Sequence, residues 1–212
     1  MGMQIPFHTS RGTVDLAMLC PGDFAGSMIA EALSTINRFT GHSRLPWSVA
    51  AHSLLVEELC PTKALKGWAL LHDAHEAFLG DITTPALELI CASGSPVAVQ
   101  NAINNAKGRV DRAIGAAWCC APQLMSLEMR RADWIALQAE RLYFFKEPLP
   151  AELTDDERHD ALHGAALIQS LPHGSDWLWA ARSWLGRAEQ LQIDGLLTLP
   201  SETAPSSTSL AG

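Results

Sequence analysis

A short segment of this sequence concentrates side chains that can bind a metal ion. Glu76 follows His72 by four positions and Asp73 by three, so the three residues share one edge of an α-helix. Imidazole and carboxylate groups together bind zinc, manganese, cobalt or iron. A solvated helix edge can have the same composition. The apolar run at 68–71 indicates instead that these groups emerge from a buried segment, where they need a cation or a counter-charge.

Two further candidate ligands occur in other helical segments. His52 has apolar neighbours on both sides, and Asp133 stands beside a tryptophan and an isoleucine. Each residue alone is equally consistent with a core histidine or a helix-surface carboxylate. Together with His72 and Asp73 they form a set of four candidate ligands. Four protein ligands leave open positions on a six-coordinate ion, so manganese, cobalt or magnesium compete with zinc.

The elements that must position these residues are almost all helices. The first twenty residues predict a short irregular or hairpin-like lead-in. Beyond them, prolines, cap residues and apolar periodicity predict helices joined by short connections. The expected spans are about 23–38, 46–59, 63–79, 84–92, 95–120, 122–147, 155–169 and 175–191. The sequence therefore predicts an all-α globule whose functional side chains come from different helices.

Length and composition indicate a single domain. The chain has 212 residues, 48% apolar and 18% charged, which excludes disorder for most of its length. We expect one domain over residues 1–198, with a core at 24–145 and C-terminal helices at 154–194. Residues 199–212 are poor in apolar side chains and predict a disordered tail.

Charge, cysteine content and apolar runs limit the partners. The formal net charge of −8 argues against binding a nucleic acid polymer. No apolar stretch is long enough to span a bilayer, and no secretory leader is recognisable, so we expect a cytoplasmic protein without a membrane partner. The five cysteines predict neither a disulfide framework nor a zinc ribbon. Seven tryptophans and few charges favour a homo-oligomer.

The order of these residues resembles that of a known superfamily. His52, the His72-Asp73 doublet and Asp133 match the H…HD…D order of the HD-domain metal-dependent phosphohydrolases over about residues 24–145. Residues 72–85, HDAHEAFLGDITTP, are similar to the HDxxExxxGDxxTP segment of bacterial 5′-deoxynucleotidases of the YfbR type and of phage dATP hydrolases. The stretch RFTGHSRLPWSVAAHS is similar to the phage-associated branch.

The resemblance implies a role for each matched position. Glu76 would orient or deprotonate the attacking water, Asp81 would assist, and Arg38 would hold substrate phosphate. Phe39 stands where these deoxynucleotidases carry a tryptophan that excludes the ribose 2′-hydroxyl, so sugar selectivity stays open. One divalent ion, zinc, cobalt, manganese or magnesium, would be bound by His52, His72, Asp73 and Asp133.

Three other polar residues near these motifs have less specific expectations. His42 lies in the loop between Arg38 and His52, where loop residues often contact substrate, and we treat it as a candidate substrate contact. We expect His75 to be an exposed helical histidine. Glu140 lies two helical turns after Asp133 on the same face and could pair with Arg141 or Arg38, and we expect an ordinary surface ion pair.

The expected activity is removal of phosphate from a 5′-deoxynucleotide, a small-molecule substrate, by a metal-activated water. The spacing of residues does not choose between a monophosphate and a triphosphate, and it does not give the preferred base. Two alternatives remain open. One is hydrolysis of another small phosphoester, and the other is a non-catalytic nucleotide sensor.

Overall fold

The computed structural model describes residues 4–171 and 176–202. This part of the chain begins with a hairpin in which β1 (Pro6–Thr9) pairs antiparallel with β2 (Gly12–Asp15). The rest is helical, which confirms the predicted all-α class. The α-helices are α1 (Gly26–Thr35), α2 (Val49–Leu59), α3 (Lys66–Leu71), α4 (Glu76–Leu79), α5 (Thr84–Ala92), α6 (Pro96–Ala117), α7 (Leu127–Glu140), α8 (Asp155–Ser170) and α9 (Trp177–Ile193).

Side-chain caps and prolines fix where several helices begin. Ser48 and Ser126 accept hydrogen bonds from backbone amides in the first turns of α2 and α7. Thr154 forms a capping box with Glu157 at the start of α8. Prolines occupy the first turns of α5 and α6, where the missing amide proton costs no hydrogen bond. The starts of α5, α6 and α8 lie within one residue of the predicted ones. The helices predicted to open at Pro46 and Pro122 begin instead at Val49 and Leu127, directly after their serine caps.

Helix α2 lies at the centre of the molecule. It packs against α1, α3, α7 and α9, and both its apolar residues and its polar His52 and Ser53 are buried. Each buried polar side chain on α2 needs a partner, which Ser53 finds in the Val49 carbonyl of the same helix and His52 finds on α7. This arrangement carries His52 into the core beside α3 and α7.

The hairpin of α5 and α6 projects from this core. None of the residues of α5 is buried, and the side chains of Leu89, Ile90 and Val97 are largely exposed. Such an apolar surface favours association. The homo-oligomer stays a prediction. No helix within the described residues is long and apolar enough to cross a membrane.

The segment after α9 returns to the domain. The Thr198 amide donates to the carbonyl of Trp118 (2.7 Å), and Leu199 packs against the core. Glu202 accepts hydrogen bonds from the Ser27 hydroxyl and the Arg11 guanidinium, both at 2.6 Å. The predicted tail therefore starts with four residues, 199–202, that contact the domain. Its remainder, 203–212, lies outside the described residues.

Candidate metal centre and adjoining cavity

The His72-Asp73 pair lies on a tight turn between two short helices. The expected continuous helix over 63–79 is wrong here, because α3 ends at Leu71 and α4 begins at Glu76. The Ala74 and Glu76 amides donate to carbonyls three residues back, at 2.9 Å each, which is 3₁₀-like spacing. His72 Nδ1 donates to the Ala69 carbonyl (2.8 Å), an acceptor that a continuing α-helix would offer to a backbone amide. The side chain thus competes with helix propagation.

The four candidate ligands converge on one point. His52 Nε2 lies 3.1 Å from Asp133 Oδ1 and 3.7 Å from Asp73 Oδ2. His72 Nε2 lies 3.1 Å from Asp73 Oδ2 and 3.8 Å from Asp133 Oδ1. Adjacent ligands about 2.1 Å from an octahedral ion lie about 3.0 Å apart, so the spacing fits a single cation. The four side chains come from α2, the turn after α3, and α7.

Hydrogen bonds on the outer side of each imidazole select the ring nitrogen that faces this point. His52 Nδ1 donates to Glu140 Oε1 (2.7 Å), and His72 Nδ1 donates to the Ala69 carbonyl. Each Nε2 in the neutral ring therefore presents a lone pair toward two carboxylates. His72 Nε2 is buried and has no hydrogen-bond partner. Four electron-pair donors facing one another need either protons or a metal cation among them, so this donor set fits a divalent metal ion.

In the metal-free protein, protons take the place of that cation. Burial lowers the pKa of His72, but the negative charge of Asp73 outweighs it and raises the pKa to about 9. Burial and Arg38 lower the pKa of His52, yet Glu140 and Asp133 bring the net shift above the usual value. Metal binding must displace these protons, because a histidine binds a metal through a neutral ring.

Glu140 lies on the far side of the His52 ring from the other candidate ligands and is a shared hydrogen-bond acceptor. Its carboxylate is fully buried and accepts bonds from His52 Nδ1, from Trp47 Nε1 (2.7 Å), and from Arg38 Nε and Nη2 (3.1 and 3.0 Å). Burial acts to raise the pKa of Glu140, but Arg38 and His52 hold it below the usual range. Glu140 does pair with Arg38, one of its two candidate partners, but the expected surface location is wrong because the pair is buried. The sequence does place Glu140 near the candidate ligands, because its spacing of seven positions from Asp133 puts both side chains on one helix face.

A cavity of about 630 Å³ opens beside the four ligands. Arg38 and Phe39 line it, together with Asp73, Asp133 and the carboxyl groups of Glu76 and Asp81. The Phe39 ring lies 5.0 Å from the Phe145 ring in an edge-on contact. Phe39 and Thr40 both adopt the left-handed conformation, with φ of 55° and 54°, which is uncommon outside glycine. This strained turn places Arg38 and Phe39 in the cavity wall.

Two other side chains differ in their relation to the cavity. His42 is exposed and is not among the described residues that line the cavity, although Arg38 on the same turn is. Lys107 of α6 does line the cavity. Its positive charge acts to lower the pKa of Glu76 and Asp81, against the larger effect of burial, which raises both. Sequence reasoning missed Lys107, because a lysine on an amphipathic helix has no local signal of function.

Glu76 and Asp81 lie on either side of the glycine that ends α4. Gly80 has φ of 74°, a conformation that favours glycine and turns Asp81 back toward the cavity. Burial first, then the charges of Asp73 and Asp81, raise the pKa of Glu76 to about 9. Burial also raises the pKa of Asp81. A cation nearby would lower both pKa values, because positive charge favours the carboxylate form.

These pKa values predict how the metal-free protein responds to pH. His72 and Glu76 have native pKa values of about 9, above their reference values of 6.5 and 4.5. The native state therefore holds more protons than the unfolded state between pH 6.5 and 9, so stability falls as pH rises through this window. We expect the melting temperature in EDTA to decrease from pH 6.5 to 9, and Mn²⁺ to abolish that decrease. A flat profile in EDTA would contradict the assignment, and H72N should weaken the dependence.

His75 differs from expectation. The predicted exposed histidine is buried, with 5% of its surface accessible, and its Nδ1 lies 3.0 Å from Asp111 Oδ1. The tight turn after α3 explains this, because three-residue spacing rotates His75 inward from the face that an α-helix would give it.

The known proteins to which this chain is similar are uncharacterized. No family model matches the chain. The chain is 34% identical over 113 residues to the uncharacterized protein YfdR of Escherichia coli K12, covering 53% of this chain and 57% of that protein. It is 43% identical over 81 residues to an uncharacterized Rhodobacter capsulatus protein, RCAP_rcc00048, covering 34% of this chain and 41% of that protein. The chain thus spans about half the length of the curated relatives it matches.

Proposed function

We propose that this protein is a metal-dependent phosphohydrolase that removes phosphate from 5′-deoxynucleotides. The observation that carries the proposal is that the Nε2 atoms of His52 and His72 each lie 3.1–3.8 Å from an oxygen of Asp73 and an oxygen of Asp133, beside a cavity of about 630 Å³. A cavity of that size accommodates a nucleotide. The resemblance to HD-domain phosphohydrolases, which rests on the order of these four residues and on the segment 72–85, supports the same reaction class.

The metal would be bound by His52, His72, Asp73 and Asp133. A phosphoester is an anion, and a divalent ion both neutralises phosphate oxygens and makes a bound water acidic enough to attack. Four ligands leave open positions on a six-coordinate ion, which favours manganese, cobalt or magnesium over tetrahedral zinc.

Arg38 would hold the substrate phosphate. Glu140 binds Nε and Nη2 of its guanidinium, which leaves Nη1, 3.9 Å from Asp73 Oδ2, for another anion. Negative charge from Glu140 and Asp73 raises the pKa of Arg38 despite burial, so the group stays cationic. A guanidinium fixed by two hydrogen bonds presents its free donor without losing further rotational freedom.

Glu76 and Asp81 would accept and donate the protons that the hydrolysis moves. The Glu76 carboxyl is buried at the cavity wall next to Asp73, where it can orient a water and accept its proton once a cation has lowered its pKa. Asp81 lines the same wall and is half-buried, so it can pass a proton to the leaving group or to solvent. Phe39 would contact the sugar or base and bear on selectivity for deoxyribose.

Lys107 would add a second positive charge for the substrate. Within the described residues it has no hydrogen bond or ion pair, although it lines the cavity opposite several carboxylates. We expect K107M to raise KM for a deoxynucleotide about tenfold while kcat changes by a factor of about two, because the lysine binds ground state and transition state alike. K63M, on an exposed lysine elsewhere, is the control and should change neither. A fall in kcat with unchanged KM would contradict this role.

The test of the proposed function is phosphate release from a panel of nucleotides. Deoxynucleoside monophosphates and triphosphates, their ribose counterparts, and cyclic nucleotides are incubated with Mn²⁺-loaded protein and with protein in EDTA. We expect release from at least one deoxynucleotide, dependent on metal. If the loaded protein binds a nucleotide but releases phosphate from none, the protein is a nucleotide sensor. Release from non-nucleotide or cyclic esters alone would also overturn the proposal.

A further inference from the structure

A second group of metal-binding atoms lies next to the first. His75 Nδ1 is 3.0 Å from Asp111 Oδ1, and both residues are almost fully buried. An ionised Asp111 accepts the Nδ1 proton, which leaves Nε2 of the same ring with a lone pair. That Nε2 is buried and has no hydrogen-bond partner. The mechanism proposed above gives this histidine no task.

The neighbouring Glu76 also lacks a hydrogen-bond partner for one of its buried polar atoms. Its Oε2 atom is buried without a hydrogen-bond partner, and 5% of the residue is accessible. Asp73, His75 and Glu76 each offer a ligand atom, and these atoms all lie within 4.8 Å of one another. Buried polar atoms without partners are rare and cost about 1–3 kcal/mol each. Two residues of this cluster, His75 and Glu76, each have one such atom, and a cation bound within the cluster would give these atoms a partner.

We propose that Asp73, His75 and Glu76 bind a second divalent cation, with Asp73 shared between the two ions. Asp73 Oδ2 faces His52 and His72, and a carboxylate can bridge two cations through its two oxygens. One imidazole and two carboxylates suit manganese, cobalt, iron or zinc. Asp111 would fix the ring of His75 by holding its Nδ1 proton.

The charge of this region favours a cation over a water molecule. The carboxyl groups of Asp73, Glu76, Asp81, Asp111, Asp133 and Glu140 surround the two clusters. Among the described residues that line the cavity, the cations are Arg38, Lys107 and Arg141, and Arg141 is paired with Glu147. Two divalent ions would offset this surplus of acidic groups, which a neutral water cannot do. Paired ions about 3.5–4 Å apart commonly clamp the attacking and leaving oxygens of a phosphoester. The inference rests on the proposed function through the first ion and through Glu76, which would bind the second ion with one carboxylate oxygen and orient the water with the other.

The experiment measures metal content and position rather than activity. The full chain, untagged and stripped with EDTA, is loaded with Mn²⁺, freed of excess ion, and analysed by mass spectrometry for metal per chain. We expect about two ions per chain in the wild type, about one in H75Q, and about two in H159Q, whose exposed histidine lies on α8. Anomalous diffraction from Mn²⁺-loaded crystals should show two peaks, one of them contacting His75.

Other results would overturn the inference. One ion per chain in the wild type, or two in both the wild type and H75Q, removes the second site from these residues. If H75Q does not fold, the anomalous map of the wild type decides, because a single peak among His52, His72 and Asp133 excludes the second ion. Phosphate release with one ion would leave the proposed function intact, and two ions without phosphate release would leave the second site intact.

Discussion

Replacement of Asp133 by asparagine is expected to lower the rate of phosphate release about 1,000-fold or more and to weaken Mn²⁺ binding. Asp133 Oδ1 lies 3.1 Å from His52 Nε2 and 3.8 Å from His72 Nε2, so its charge faces both imidazoles. The amide keeps the size of the side chain but loses the negative charge that would bind the metal. Initial rates and metal affinity, measured on the same preparation, test this expectation.

D133N should leave the fold intact, because about half of the Asp133 side chain is accessible. D156N is the matched control, since Asp156 is exposed in the first turn of α8. We expect wild-type rates and wild-type metal affinity from it. A D133N protein that releases phosphate within tenfold of the wild-type rate would exclude Asp133 from the metal centre and, with it, the proposed function.

Truncation of Glu140 to alanine is expected to lower the free energy of unfolding by about 4 kcal/mol. The carboxylate is fully buried and is the shared acceptor for His52, Trp47 and Arg38. Its removal leaves a buried guanidinium without its partner and two buried N–H groups without an acceptor. Urea denaturation monitored by tryptophan fluorescence measures the change.

E140Q separates the metal-binding effect from stability. The amide can still accept from Trp47 or His52, but it no longer provides the charge that fixes the His52 ring, so we expect Mn²⁺ affinity to fall about 10- to 100-fold. E147A is the control, because Glu147 forms an exposed ion pair with Arg141 that contributes less than about 1 kcal/mol. Equal losses of stability in E140A and E147A would contradict the buried network.

Much of the fold follows from local sequence signals. Prolines at the starts of α5 and α6, the capping box before α8, and apolar periodicity all predict helices where the structure has them. The error at 63–79 has a different origin. A helical pattern continues through His72, but the side chain of that residue takes the Ala69 carbonyl and the chain tightens into three-residue turns. Periodicity does not report such competition.

The sequence by itself determined the all-α class and the chemical types of the ligands, since His52, the His72-Asp73 pair and Asp133 are recognisable by residue type and order. Only the tertiary structure decided that each histidine Nε2 lies 3.1–3.8 Å from an oxygen of Asp73 and an oxygen of Asp133. It also decided that Glu140 is buried behind His52 and that His75 turns inward to Asp111. Helical periodicity fixes the face on which a side chain lies, whereas the distance between faces depends on how α2, α3 and α7 pack.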